Sequence, residues 1–195
     1  MKVIGSRLDA VKIIALDRHR DERGYFMEIY NRDSFLALGI HDVFVQDNCS
    51  FSERKGTVRG LHFQKAAFAQ SKLIRCVRGS FYDIAVDVRK GSPTYGKAAV
   101  VPLSEDDDQL VYIPRGFAHG VAIREDGSAY TYKVDGLYAA DPAQNGGLSC
   151  RYDSAELNWD ELLPGTDLIL SARDISGVAD TLEALDTDFI YGVNC

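Results

Sequence analysis

Thr57-Val58-Arg59-Gly60-Leu61-His62-Phe63-Gln64 sets a cation, a glycine, an imidazole and an amide into an otherwise apolar alternation. Alternation with period two is the mark of a strand, whose successive side chains point to opposite faces. A regular strand would place Val58, Gly60, His62 and Gln64 on one face and Arg59, Leu61 and Phe63 on the other. For Arg59 to join His62 in one site the chain must bend near Gly60, and a glycine inside a strand often marks such a bulge or the close approach of a ligand. The competing reading is a half-buried strand with a satisfied histidine.

The neighbouring segments extend the β pattern. Upstream, an apolar run at 11–16 leads into the charged turn 17–24, which closes on Gly24, and a strand is expected at 25–30 with Phe26, Glu28 and Tyr30 on one face. Asp33 is placed to cap a short helix through Phe35 and Leu38, ended by Gly39, and a strand at 43–50 turns from apolar to polar as if opening into a pocket. Downstream, runs at 72–77 and 81–88 flank Arg78-Gly79-Ser80, a hairpin signal. Asp83 and Asp87 share a face of the second run, so that face must be wet or must meet a partner such as Lys72, Arg75 or His62. Further strands are expected at 95–103, 109–113, 117–124, 129–138 and 148–152. Strands and turns at this spacing predict an all-β sandwich or barrel. The segment from 155 differs, with short helices expected around Leu157 to Leu163 and over 178–185, packing on the barrel.

At 195 residues, with 46% hydrophobic and 26% charged residues, the chain fits a single domain over 1–195 with a sizeable core. A net charge of −7 argues against sequence-independent nucleic-acid binding, which depends on clustered Lys and Arg, yet leaves room for an anionic small molecule. No apolar run reaches the roughly 20 residues of a membrane helix and no signal-peptide core opens the chain, so no membrane association and a cytoplasmic location are expected. Cys49, Cys76, Cys150 and Cys195 form no CxxC pair, which indicates neither a zinc cluster nor a disulfide framework.

Of the four histidines, His19 and His41 sit in polar, turn-like contexts that suit solvation, which leaves His62 and His119. Without an HxH or HxxxH pair no metal site is expected, and acid–base chemistry is the better use for these imidazoles. Tyr130, Tyr132 and Tyr138 would share one face of their strand as partners or as packing, and Asp83 is a candidate second carboxylate near the base.

Six blocks carry a resemblance to a known family. They are Asp21-Glu22-Arg23-Gly24-Tyr25-Phe26-Met27-Glu28, Val45-Gln46-Asp47-Asn48-Cys49-Ser50, Val58-Arg59-Gly60-Leu61-His62-Phe63-Gln64, Ala69-Gln70-Ser71-Lys72-Leu73, Gly91-Ser92-Pro93-Thr94-Tyr95-Gly96 and Ile113-Pro114-Arg115-Gly116-Phe117-Ala118-His119-Gly120. In this order, and with Leu170-Ser171-Ala172-Arg173-Asp174 later, the chain resembles the dTDP-4-dehydrorhamnose 3,5-epimerases and their sugar-nucleotide relatives. The resemblance implies a cupin-type jelly-roll barrel and inversion at C3, C5 or both of a nucleotide-linked 4-keto-6-deoxy sugar, without cofactor or metal. It implies His62 as proton acceptor, Tyr132 as proton donor on the opposite face of the sugar, Lys72 as enolate stabiliser and Asp174 as the support of the histidine. Arg59, Gln46, Asn48, His119 and Arg173 would contact substrate, and Tyr138 would stack on the nucleobase. Arg23, Phe26 and Glu28 would be lent to the neighbouring subunit of a homodimer. The chain departs from the pattern after Tyr138, where 139–146 is longer and carries an amide in place of an expected glutamate, again over 148–153, and at Arg173, where a lysine is usual. Single-centre epimerisation of another nucleotide sugar, such as a GDP- or CDP-linked one, and a non-catalytic sugar-binding or nucleotide-binding role stand as the other readings.

Overall fold

The computed structural model describes residues 1–193, Ala66 by its backbone alone. Within them the alternation resolves into strands β1 (Lys2–Arg7), β2 (Val11–Ala15), β3 (Arg18–Asp21), β4 (Gly24–Met27), β5 (Gln46–Ser52), β6 (Val58–Gln64), β7 (Lys72–Arg78), β8 (Ser80–Asp87), β9 (Ala98–Ser104), β10 (Gln109–Ile113), β11 (Phe117–Ile123), β12 (Ser128–Val134) and β13 (Asn145–Gly147). The helices are short: α1 (Arg32–Ala37), α2 (Trp159–Leu162) and α3 (Ala172–Ser176).

Two antiparallel sheets make a jelly-roll barrel, in accord with the all-β expectation. One runs β1-β2-β10-β7-β12-β5 and the other β13-β6-β11-β8-β9, while β3 and β4 form a hairpin of their own. Alternation sorts each strand between two environments. Ile74 and Cys76 of β7, Phe81 and Ala85 of β8, Val111 and Ile113 of β10, and Phe117, Val121 and Ile123 of β11 fill the space between the sheets. The outer face of the five-stranded sheet, with Ile84, Val86, Leu61 and Phe63, is covered by the 148–189 segment through Leu157, Leu163, Leu185 and Phe189. On the outer face of the other sheet, Ile14, Leu73 and Leu110 pack under Phe35 and Ile40. Burial on both faces explains why these strands read as near-continuous apolar runs.

Several local expectations are corrected. Residues 72–78 and 80–87 are not a hairpin, because β7 pairs with β10 and β12 and β8 with β9 and β11, so the chain crosses from one sheet to the other at Gly79. Gly79 has φ +69° and passes so near Ser128 that a Cβ would lie 2.4 Å from its Oγ, and Ser128 Oγ in turn accepts from Ser80 N at 3.1 Å. The helix cap is Asn31 rather than Asp33, with Asn31 Oδ1 accepting from the amides of Asp33 and Ser34. The 148–152 strand is absent apart from a bridge at Leu148, and its place at the sheet edge is taken by β13. No helix forms over 178–185; the helix of that region precedes it, at α3, where Ser171 supplies a cap. Strand β4 stops at Met27, β5 starts at Gln46, β9 at Ala98, and β12 ends at Val134. Cys49, Cys76 and Cys150 are free thiols, and Cys195 lies outside the described residues. His19 and His41 are exposed, as expected. No described helix is long and apolar enough to cross a membrane.

Candidate active site

Strand β6 carries one residue more than the strand beside it. His62 stands opposite His119 and Arg59 opposite Val121, so three steps along β6 face two along β11. This bulge at Gly60 and Leu61 resets the alternation. Arg59 and His62 therefore both line the pocket, while Leu61 turns wholly into the outer core, which Val58 and Phe63 join from the pocket wall. Gly60 has φ +121°, and a Cβ on it would stand 2.6 Å from Gly120 Cα and from His119 O, so glycine alone fits the pivot.

Around the bulge opens a cavity of about 680 Å³, a size that suits a small-molecule ligand. Its wall takes Lys72 from β7, His119 from β11, Tyr130 and Tyr132 from β12, and Arg173 and Asp174 from α3, with Tyr138 at the edge. His62 Nε2 lies 2.6 Å from Asp174 Oδ1, and neither atom has an aligned hydrogen bond. The carboxylate acts on His62 chiefly through its charge. Asp174 is 5% exposed and is fixed by Ser171, whose Oγ donates to Asp174 Oδ2 at 2.7 Å and accepts from Asp174 N at 3.2 Å. Ser171 is thus a supporting residue that the sequence reading left out, although a serine three residues ahead of an acid is a capping signature.

The electrostatics divide the groups by role. Burial pushes the His62 imidazole below its ordinary value; the Asp174 charge opposes this, and Arg173 and Lys72 add to it. His62 is therefore neutral near pH 7 and free to take a proton. Lys72 loses hydration inside the barrel, which lowers its ammonium to about 8 against the opposing pull of Asp83 and Asp135. Burial raises the Tyr132 phenol, with Arg59 opposing, so it stays protonated. Tyr130, its neighbour at 6.1 Å between ring centroids, is raised to about 12 by burial. The cavity thus holds a neutral base, a cation and a proton donor together.

The remaining expected residues divide. Arg59 is tethered at the mouth, Nε donating to Ser52 Oγ at 3.2 Å and Nη2 to Phe51 O at 3.1 Å. Asp83 pairs not with the base but with His119, at 2.6 Å from Nε2, because β8 lies beside β11 and not beside β6 or β7. Asp87, at the other end of that face, is held by Arg89, Ser92 and Thr94. Gln46 donates to Asn48 Oδ1 at 2.7 Å on β5, and neither lines the cavity. Arg23, Phe26 and Glu28 also lie outside it: Arg23 binds Asp21, Phe26 is 71% exposed, and Glu28 accepts from Asn31. Among the described residues no group of three or more His, Cys, Asp or Glu is placed to hold a metal ion.

Residues 6–180 match the family model described as dTDP-4-dehydrorhamnose 3,5-epimerase. A protein of that name from Sinorhizobium fredii is 42% identical over 167 residues, 85% of this chain and 83% of that protein. The crystal structure of the dTDP-4-dehydrorhamnose 3,5-epimerase of Bacillus anthracis, with TDP and PPi bound, superposes with a TM-score of 0.80 at 39% identity, covering 89% of this chain and 95% of that one. A dTDP-6-deoxy-D-glucose-3,5-epimerase from Legionella pneumophila, in complex with dTDP-4-keto-L-rhamnose, gives 0.79 at 34% identity, covering 93% of both chains.

Proposed function

The chain belongs to the dTDP-4-dehydrorhamnose 3,5-epimerase family and is an isomerase acting on a sugar nucleotide, and we propose that its cavity inverts C3 and C5 of dTDP-4-dehydro-6-deoxyglucose. The observation that carries the reading is the meeting of His62, Lys72 and Tyr132, from three different strands, in one cavity. A ketone at C4 acidifies the hydrogens at C3 and C5. His62, neutral and backed by the Asp174 charge, takes one of these protons, and Lys72, still protonated at neutral pH, meets the negative charge that gathers on the C4 oxygen. Tyr132, protonated, returns a proton to the opposite face of the ring. Once His62 carries a proton, Asp174 stabilises the imidazolium. Arg59, Arg173 and His119 supply cationic or hydrogen-bonding groups for the diphosphate and sugar.

The protein works as a homodimer in this reading. Hairpin β3–β4 forms a separate sheet, presents Tyr25 and Phe26 at 53% and 71% exposure, and leaves Arg23, Phe26 and Glu28 outside the cavity of their own chain. These are properties of an arm offered to a partner's site.

The test is solvent deuterium incorporation into the 4-keto sugar nucleotide, followed by NMR. Removing a positioned acid or base costs about 10²–10⁴-fold. His62→Ala should abolish both exchange and turnover, while Tyr132→Phe should impair completed inversion more than exchange. Wild-type turnover by His62→Ala would refute the epimerase assignment of this cavity. Equal and complete loss of exchange in both variants would refute the division of roles.

A further inference from the structure

Tyr138 stands at the cavity edge with half of its ring exposed, beyond the end of β12 and without a ladder to hold it. Its backbone is instead gripped by side-chain amides on both sides. Upstream, Gln70 Nε2 donates to Gly136 O at 2.7 Å. Downstream, Gln64 treats Ala139 as a strand residue would, accepting from its N–H at 3.2 Å and donating to its carbonyl at 2.9 Å. Asn145, paired with Gln64 between β13 and β6, completes the grip: its Nδ2 donates to Ala139 O at 3.2 Å and Asp141 O at 2.8 Å, and its Oδ1 accepts from Gln64 Nε2 at 3.3 Å.

We propose that Gln64 and Asn145 are positioning residues that latch the loop after Tyr138 to β6, fixing the Tyr138 ring at a set distance from His62 and thereby setting how tightly the nucleobase end of the substrate is held. The inference rests on the sugar-nucleotide reading above. Its logic is in the donor count: the Asn145 amide meets two carbonyls with its N–H groups and one N–H with its oxygen, so every polar atom of the side chain is matched. The resembled family carries a glutamate in its shorter loop here, but in the longer loop of this chain a carboxylate would turn an oxygen toward Ala139 O and Asp141 O and push the loop away. A neutral carboxyl could donate again. Because Gln64 lies two residues from His62 on the same strand, the latch refers the aromatic ring to the base itself, and an exposed aromatic face is a stacking surface for a base of any sequence.

The experiment is calorimetric titration of the full chain with dTDP at pH 8 and pH 5, for wild type, Asn145→Asp and Asn145→Ala, together with kcat and KM on the 4-keto sugar nucleotide. Asn145→Asp should bind dTDP about tenfold or more weakly at pH 8, the scale of one base–aromatic stack. Most of that loss should return as the pH falls to 5, because the two carbonyl oxygens facing the new carboxyl favour its protonated form and raise it above its ordinary value, and KM should rise while kcat stays within about threefold. His62 on β6 gains a proton toward acid pH, and Asp141 in the loop and the Lys65–Asp186 pair lie beside the latch, so recovery is read as the ratio of variant to wild type at each pH. Wild-type affinity of Asn145→Asp at pH 8, a loss that does not recover at pH 5, or a fall in kcat with unchanged KM would each overturn the proposal. Should Asn145→Asp fail to fold, Asn145→Ala decides: it removes the bonds without adding charge, and wild-type KM in that variant overturns the latch. A wild-type protein that neither binds dTDP nor turns over would refute the sugar-nucleotide reading instead.

Discussion

Gly60→Ala tests the link between the bulge and the chemistry. At φ +121° an L side chain is strained, a cost of about 1–3 kcal/mol. The new methyl would also stand 2.6 Å from Gly120 Cα and His119 O, where 3.4 Å is ordinary contact, so β6 and β11 must part by about 0.8 Å. His62 and Arg59 ride on the displaced strand while Lys72 and Tyr132, in the other sheet, do not. A misplacement of about 1 Å costs on the order of 10²-fold in rate. The melting temperature should fall by about 2–4 °C per kcal/mol for a chain of this size, hence by roughly 2–12 °C. Gly91→Ala is the control, because Gly91 has φ +83° with nothing within 4 Å of its Cβ position and lies far along the chain from the cavity residues. It should lower stability by the same strain and leave turnover intact. Thermal unfolding and NMR-followed turnover measure the two effects separately. A Gly60→Ala enzyme with wild-type rate would refute the claim that the bulge aligns Arg59 and His62, and loss of rate in Gly91→Ala would show that strain alone, not geometry, accounts for the effect.

Two further outcomes follow from the electrostatics. The rate should have a bell-shaped pH profile: His62 works unprotonated, so activity is lost as pH falls through its lowered value, below 6.5, and Lys72 works protonated, so activity is lost as pH rises through about 8. Asp83→Asn removes a carboxylate that supports the Lys72 charge, and the alkaline limb should move to lower pH; an unmoved limb would detach it from Lys72. Asp87→Ala should destabilise the fold by about 3 kcal/mol without touching the cavity, since it takes away a fully buried carboxylate bound by Arg89, Ser92 and Thr94. Denaturant unfolding measures that loss, and an unchanged midpoint would refute the structural role of the network.

What was legible in the sequence follows from the range of the signal. Strand alternation is local, so the all-β class and most of β6 to β12 could be read directly, and the need for a bend at Gly60 could be inferred from the opposed parities of Arg59 and His62. Which strands pair is not local. Arg78-Gly79-Ser80 carries hairpin chemistry, yet the packing of Ile74 and Cys76 against Phe81 and Ala85 across the barrel places β7 and β8 in opposite sheets. The direct partner of Asp83, His119, was likewise not legible, because it is decided by sheet order and not by the residues around it in the chain, although Lys72, one of the partners expected for it, does feel its charge. Asp174 shows the converse case: no spacing rule joins it to His62 across more than a hundred residues, and only the family blocks placed it. Gln46, Asn48, Arg23, Phe26 and Glu28, carried over from those same blocks, do not line the cavity of a single chain. For the last three the physical reason is visible in β3–β4, which is short, separate, charged at its turn and bears the exposed rings of Tyr25 and Phe26 on β4, so that their chemistry depends on a surface this chain does not itself supply.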